Sequence, residues 1–161
     1  MRSKTEALRA DLEGQGDLHY VKKCMEIAVD EKAYDVCAYD LRQISSLTDY
    51  ALVLSGTSRR HVGGVVDKIR RALRKLGRKQ LSIDGQGSDW VVMDYGSFML
   101  HIFYEAARQY YDIDGIWKEA KKIELDQALE ERAKKLGRAI DNTDRRAQLQ
   151  IAEREDYDGP L

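Results

Sequence analysis

Residues Asp89 to Trp117 constrain this chain more than any other stretch. Asp89-Trp90-Val91-Val92-Met93-Asp94-Tyr95-Gly96-Ser97-Phe98-Met99-Leu100-His101-Ile102-Phe103-Tyr104 reads as two apolar strands joined by a tight turn at Tyr95-Gly96-Ser97. Gly96 supplies the positive φ that such turns often need. Glu105 to Tyr111 follows as a short helix, Asp112 to Gly115 breaks it, and Ile116 to Lys121 begins another helix holding Trp117. Two runs this apolar on both faces belong in a sheet covered on both sides, or in one that offers a face to a partner.

The rest of the chain suits such a sheet. Its 161 residues suffice for one domain with an appendage and a core that needs no staples. Cys24 and Cys37 are the only cysteines. Two are too few for a secreted disulfide scaffold, and neither has a metal ligand at short spacing, so both are expected to be buried thiols in a reducing compartment. No apolar run approaches the roughly 20 residues of a membrane helix. The N-terminus lacks a signal-peptide core, and Glu6, Asp11 and Glu13 argue against a transit peptide. A cytoplasmic location is therefore expected. The net charge of −1 gives the whole molecule no bias toward nucleic acid, although 34% of residues are charged and unevenly placed.

Taken in order, residues 1–17 read as a flexible arm, with a fraying helix around Ala7 to Leu12. Asp17 is placed to cap a helix from Leu18 to about Lys32, whose Val21, Cys24, Met25 and Ala28 share one face. Tyr34 to Leu41 reads as a strand, and Tyr50 to Leu54, continuously apolar, as a central one. Ser55-Gly56-Thr57-Ser58 then turns into a helix from Arg59 to Leu76, with Thr57 or Ser58 as the cap. Val62, Val65, Val66, Ile69, Leu73 and Leu76 form its apolar stripe; Lys68, Arg70, Arg71, Arg74 and Lys75 form its polar side, and Gly77 ends it. Gln80 to Asp84 is a short strand. Residues 122–161 read as a charged, solvent-facing helix to about Asn142 and a mostly disordered tail.

This order predicts an α/β (α+β) fold: a mixed five-stranded sheet with flanking helices, plus a C-terminal charged helix. If the strands at Tyr50 and Gln80 are parallel, the basic helix between them is a right-handed crossover.

Candidate chemistry is sparse. The Ser55–Ser58 turn before a helix is an anion-cradle pattern, but the lysine of a Walker loop is missing. Strand–turn–helix capping accounts for these residues more simply. A nucleotidyltransferase needs carboxylates beside such a turn to hold paired Mg²⁺. The Asp-x-Asp at Asp112-Ile113-Asp114 lies instead in the linker after the hairpin. His61 and His101 have no nucleophile or orienting acid at motif spacing, and read as hydrogen-bonded structural residues. No catalytic, metal or cofactor site is therefore assigned. The basic helix face is compatible with RNA, without an accompanying single-strand-binding motif.

Several stretches together resemble the Iojap family, the ribosomal silencing factors. They are Asp35-Val36 with Ser45-Ser46-Leu47-Thr48-Asp49-Tyr50, and Ser55-Gly56-Thr57-Ser58-Arg59-Arg60-His61-Val62. Asp89 to Gly96, His101-Ile102-Phe103, Ala107-Arg108-Gln109-Tyr110-Tyr111 and Ile116-Trp117 follow in the family's order. The resemblance covers roughly residues 18–121, which mark the expected domain. It implies a nucleotidyltransferase-like shape without transferase activity. It also implies binding to the large ribosomal subunit through its L-fourteen protein, a block on small-subunit joining that represses translation, and a tendency to form homodimers. Ribosomal RNA is then a secondary contact, and no membrane is involved.

Within the matched stretch, large amphipathic rings and acids are the chemistry of a protein interface with a basic partner. Trp90, Asp94, Tyr95, Tyr110, Tyr111 and Asp112 are the expected partner-binding residues. Val91, Met93, Leu100 and Ile102, on alternate positions, are expected to fill the core.

Overall fold

The structure, a computed structural model, describes residues 16–136. The arm before them, and the continuation of the charged helix and tail after them, lie outside the described residues. Helix α1 (Leu18–Asp30) leads into strands β1 (Tyr34–Asp40) and β2 (Tyr50–Gly56), then helix α2 (Arg59–Lys75). Strands β3 (Ser82–Asp84), β4 (Trp90–Asp94) and β5 (Phe98–Tyr104) follow. The short helices α3 (Glu105–Tyr111) and α4 (Ile113–Ile116), strand β6 (Lys121–Ile123) and helix α5 (Gln127–Lys135) complete the fold.

The strands form one mixed sheet in the order β3-β4-β5-β2-β1-β6, six strands rather than the five expected. The sixth is β6, which pairs antiparallel with β1 through Ala38 and Ile123. The helix expected over Ile116 to Lys121 is absent, because Trp117 turns onto the sheet, 5.6 Å from Tyr39, and the chain continues as an edge strand. Among the described residues only β2 and β5 pair in parallel. Strand β3 runs in the same direction as β2, but the β4–β5 hairpin lies between them, so α2 carries the chain across two intervening strands.

Period-two alternation divides the side chains into two cores. Val36, Ala38, Tyr50, Leu52, Leu54, Val91, Met93, Leu100 and Ile102 face α1, α2 and α5. Cys37, Tyr39, Ala51, Val53 and Phe103 face α3 and α4. Strand β2 is buried along its whole length, as its unbroken apolar run requires. Both cysteines are free and buried. Burial pushes the Cys24 thiol far above its ordinary range.

Helix α2 shows how local sequence fixes an element. Ser58 caps it by accepting from the His61 N–H at 3.0 Å. At the other end Gly77 takes φ 83°, donating to the Arg74 carbonyl at 3.0 Å, while Arg78 N–H reaches the Leu73 carbonyl at 2.8 Å. This is the paired bonding of a Schellman motif. Leu76, counted in the apolar stripe, is instead the cap residue and 48% exposed. Gly63 and Gly64 stand in the helix interior, where each is less favourable than alanine by about 1 kcal/mol.

Asp17 is the N-cap residue of α1, its carbonyl accepting from the Tyr20 N–H at 3.0 Å, but its side chain makes no capping bond. Its carboxylate pairs with Arg78 at 3.0 Å and accepts from the Ser97 hydroxyl. The same guanidinium donates to the Tyr95 carbonyl at 3.0 Å and lies over the Tyr20 ring at 5.0 Å. One arginine thus ties the hairpin turn to α1 and to the end of α2. Helix α5 is not wholly solvent-facing: Leu129 and Ala133 are buried in the larger core, and Arg132 pairs with Asp30 at 2.9 Å. The chain beyond Lys122 therefore contributes to the packed fold.

Candidate functional site

Along β4 the side chains of Trp90, Val92 and Asp94 share one sheet face; opposite them on β5 stand Phe103, His101 and Met99. Helices α3 and α4 close only part of this face. They cover it around Ala107 and Ile113, with Trp117 against His101 at 5.6 Å. Toward the free edge, Val92, Asp94 and Met99 are half-buried, and Ser82 and Asp84 on β3 are exposed. On the opposite face Val91 and Met93 of β4 and Leu100 and Ile102 of β5 are buried. This uneven cover leaves an apolar strip with acids beside it.

The expected partner-binding residues divide on this geometry. Trp90 is half-buried, stacked on Phe103 at 5.0 Å and tilted against Tyr111 at 4.7 Å. Tyr110 meets Tyr111 edge-on at 5.2 Å and is 60% exposed. These three rings come together, with exposed Asp112 next to them at the helix break. Asp112 itself takes φ 48°, the left-handed turn that ends α3. Asp94 sits at the other end of β4, where its carboxylate accepts from the Gly96 N–H at 2.7 Å and shapes the hairpin turn.

Tyr95 departs from the expectation. It is 3% exposed and stacked on Phe98 at 4.8 Å within the larger core. Burial pushes its hydroxyl up to about 12. Tyr95 continues the inward alternation of Val91 and Met93, so it holds the hairpin from inside and does not line the outer face. Asp89, which opens the same stretch, is buried and paired with Arg59 at 2.5 Å.

The Asp112-Ile113-Asp114 run serves the fold through Asp114. Arg108 is only 2% exposed, and its guanidinium meets the Asp114 carboxylate with two bonds of 3.0 and 3.1 Å. It also donates to the Ser55 hydroxyl at 3.0 Å and to the Asp35 carbonyl at 2.5 Å. Asp35 has φ 49° at an irregularity in the β1–β2 pairing, which turns that carbonyl inward. The Tyr39 hydroxyl donates to Asp114 at 2.7 Å. Burial alone would lower the Arg108 pKa, but the Asp114 charge outweighs it and keeps the cation. No motif spacing announces this network; its one sequence trace is an arginine following two alanines on a short helix.

The strand–turn–helix at Gly56 is likewise occupied by its own side chains. His61 Nδ1 accepts from the Thr57 N–H at 2.9 Å, and its Nε2–H donates to the Glu31 carbonyl at 2.6 Å. That assigns the Nε2–H tautomer and spends one amide of the candidate anion cradle. His101 accepts from the Trp90 indole at 3.1 Å and is held neutral by burial, its pKa lowered to about 4. Among the described residues no group of three or more His, Cys, Asp or Glu could hold a metal ion. No helix among them is long and apolar enough to cross a membrane.

Comparison with known proteins agrees with the resemblance read from the sequence. The family model described as ribosomal silencing factor during starvation matches residues 15–151. A ribosomal silencing factor of Haemophilus influenzae is 32% identical over 98 residues, covering 60% of this chain and 96% of that protein. The mouse protein named for mitochondrial assembly of the ribosomal large subunit is 30% identical over 91 residues, covering 54% of this chain and 40% of its own. A crystal structure of a Chromobacterium violaceum protein superposes with a TM-score of 0.58 at 26% identity, covering 69% of this chain and 90% of that one. With most of its length matched by one family model, and the fold matched by a solved structure, the chain belongs to the ribosomal silencing factor family.

Proposed function

We propose that the protein is a cytoplasmic ribosome-binding factor that acts by steric exclusion and catalyses no reaction. It docks on the large ribosomal subunit through the L-fourteen protein and occupies a surface needed for small-subunit joining, which represses translation. The observation that carries this reading is the half-covered outer face of β3–β4–β5. Val92 and Met99 supply apolar area, Asp84 and Asp94 supply charge for a basic partner, and Trp90 with Tyr110 supplies aromatic anchors at its upper end. A standard interface of about 1,600 Å² in total is within reach of such a face. Family membership and the large-subunit name of the mouse relative support the choice of partner.

The test is co-sedimentation with purified large subunits. Met99→Asp and Tyr110→Ala change half-buried or exposed side chains and leave the folded core intact. The reading expects each to weaken co-sedimentation at least tenfold, about 1.4 kcal/mol. Wild-type pelleting by both folded variants would place the interface elsewhere.

A further inference from the structure

Helix α2 turns its outward face away from the candidate docking face, on the other side of the sheet. That outward face carries Arg60, Gly63, Gly64, Asp67, Lys68, Arg71, Arg74 and Lys75, all exposed, so five cations stand with one carboxylate. Three of its residues work against the helix. Arg60 lies in the first turn, where the helix dipole disfavours a cation. Gly63 and Gly64 are poor helix formers, and a β-carbon added at either would meet nothing within 4 Å. The fold explains Arg59 through Asp89 and Lys68 through a 3.9 Å contact with Glu31. Among the described residues it gives no ion pair to Arg60, Arg74 or Lys75.

We propose that the outward face of α2 is a docking surface for the phosphate backbone of double-helical RNA. Gly63 and Gly64 form a saddle without side chains, where a backbone can approach the helix closely. Arg60 stands on one side of it, and Arg71 and Arg74 on the other, about 16 to 21 Å along the helix from Arg60 at 1.5 Å per residue. Guanidinium forks match phosphate geometry, and cations released from the nucleic acid drive such binding. The face holds no aromatic on which single-stranded bases would stack. It holds no apolar side chain that would enter a lipid interface. Duplex RNA, recognised by shape and phosphate, is the partner that remains. That this RNA is ribosomal rests on the proposed function; the surface itself does not.

The test is fluorescence anisotropy of a labelled mixed-sequence RNA duplex with the full chain across a salt titration. The triple variant Arg60→Gln/Arg71→Gln/Arg74→Gln is expected to bind at least tenfold more weakly at low salt. Its slope of log affinity against log salt should be smaller by about two to three. Gly63→Gln/Gly64→Gln is expected to raise the melting temperature and still weaken duplex binding several-fold; a purely structural role predicts a more stable protein with unchanged binding. Equal duplex binding by wild type and the triple variant overturns the proposal. So does equally effective displacement by polyglutamate, which would make the surface one for any polyanion. Co-sedimentation with large subunits separates the two readings: loss of pelleting in Met99→Asp with duplex binding intact leaves the RNA surface standing by itself.

Discussion

The Trp90 indole N–H donates to Nδ1 of His101 at 3.1 Å, joining β4 to β5 on the half-covered face. That bond requires neutral Nδ1. Burial favours the neutral form and lowers the His101 pKa from 6.5 to about 4, while the charge of Asp114 opposes the shift. A histidine whose folded pKa is depressed contributes stability fully present above its unfolded pKa. The contribution is lost as pH falls toward the folded value, because the unfolded chain binds the proton more readily. Between pH 6.5 and about 4 the protein should lose at most about 3 kcal/mol from this group. Urea unfolding across that window, compared with His101→Gln, checks it: the variant should show a shallower decline.

Removing one partner of the Arg108–Asp114 pair should be severe. Asp114→Asn leaves a buried guanidinium without its counter-ion and should cost about 3–5 kcal/mol. Arg108→Met/Asp114→Leu removes both charges and should cost less than the sum of the single variants. Chemical denaturation of the three proteins reads this coupling directly.

Gly56 is needed for close packing rather than for an unusual φ. A β-carbon there would stand 2.9 Å from Val62 Cγ2 and 3.1 Å from the Val62 amide. Gly56→Ala should therefore destabilise by about 1–3 kcal/mol through overpacking. Thermal melts of the variant test this, and His61 should lose its bond to the Thr57 amide as the turn shifts.

The docking of α5 also predicts an asymmetry. Leu129→Ala removes a buried side chain of the larger core and should cost about 2 kcal/mol. Arg132→Ala removes a largely exposed ion pair with Asp30 and should cost under about 1 kcal/mol. Denaturant midpoints of the two variants give the comparison.

What the sequence made legible follows the strength of its periodic signals. Alternation identified Val91, Met93, Leu100 and Ile102 as core, and the apolar run at Tyr50 identified the central strand. Capping chemistry located both ends of α2 to within a residue. Strand β6 was hidden because Lys121-Lys122-Ile123 is too short and too charged to alternate; only its pairing with β1 makes it a strand. Tyr95 shares the two-residue period of Val91 and Met93, which puts it inward; its amphipathic ring, not its register, makes it look like a docking residue. Arg108 and the Asp17–Arg78 contact are long-range and polar, and no local pattern records which distant acid an arginine will meet. Composition nominated the aromatic cluster around Trp90, but its packing became apparent only from the fold.

The central claim, exclusion of the small subunit, is tested most directly by light scattering of subunit association. Purified large subunits are saturated with the protein before small subunits are added. The account predicts that wild type suppresses association in proportion to its occupancy and that Met99→Asp, at the same concentration, restores it. Association at the normal rate and extent on large subunits shown to carry the wild-type protein would contradict it.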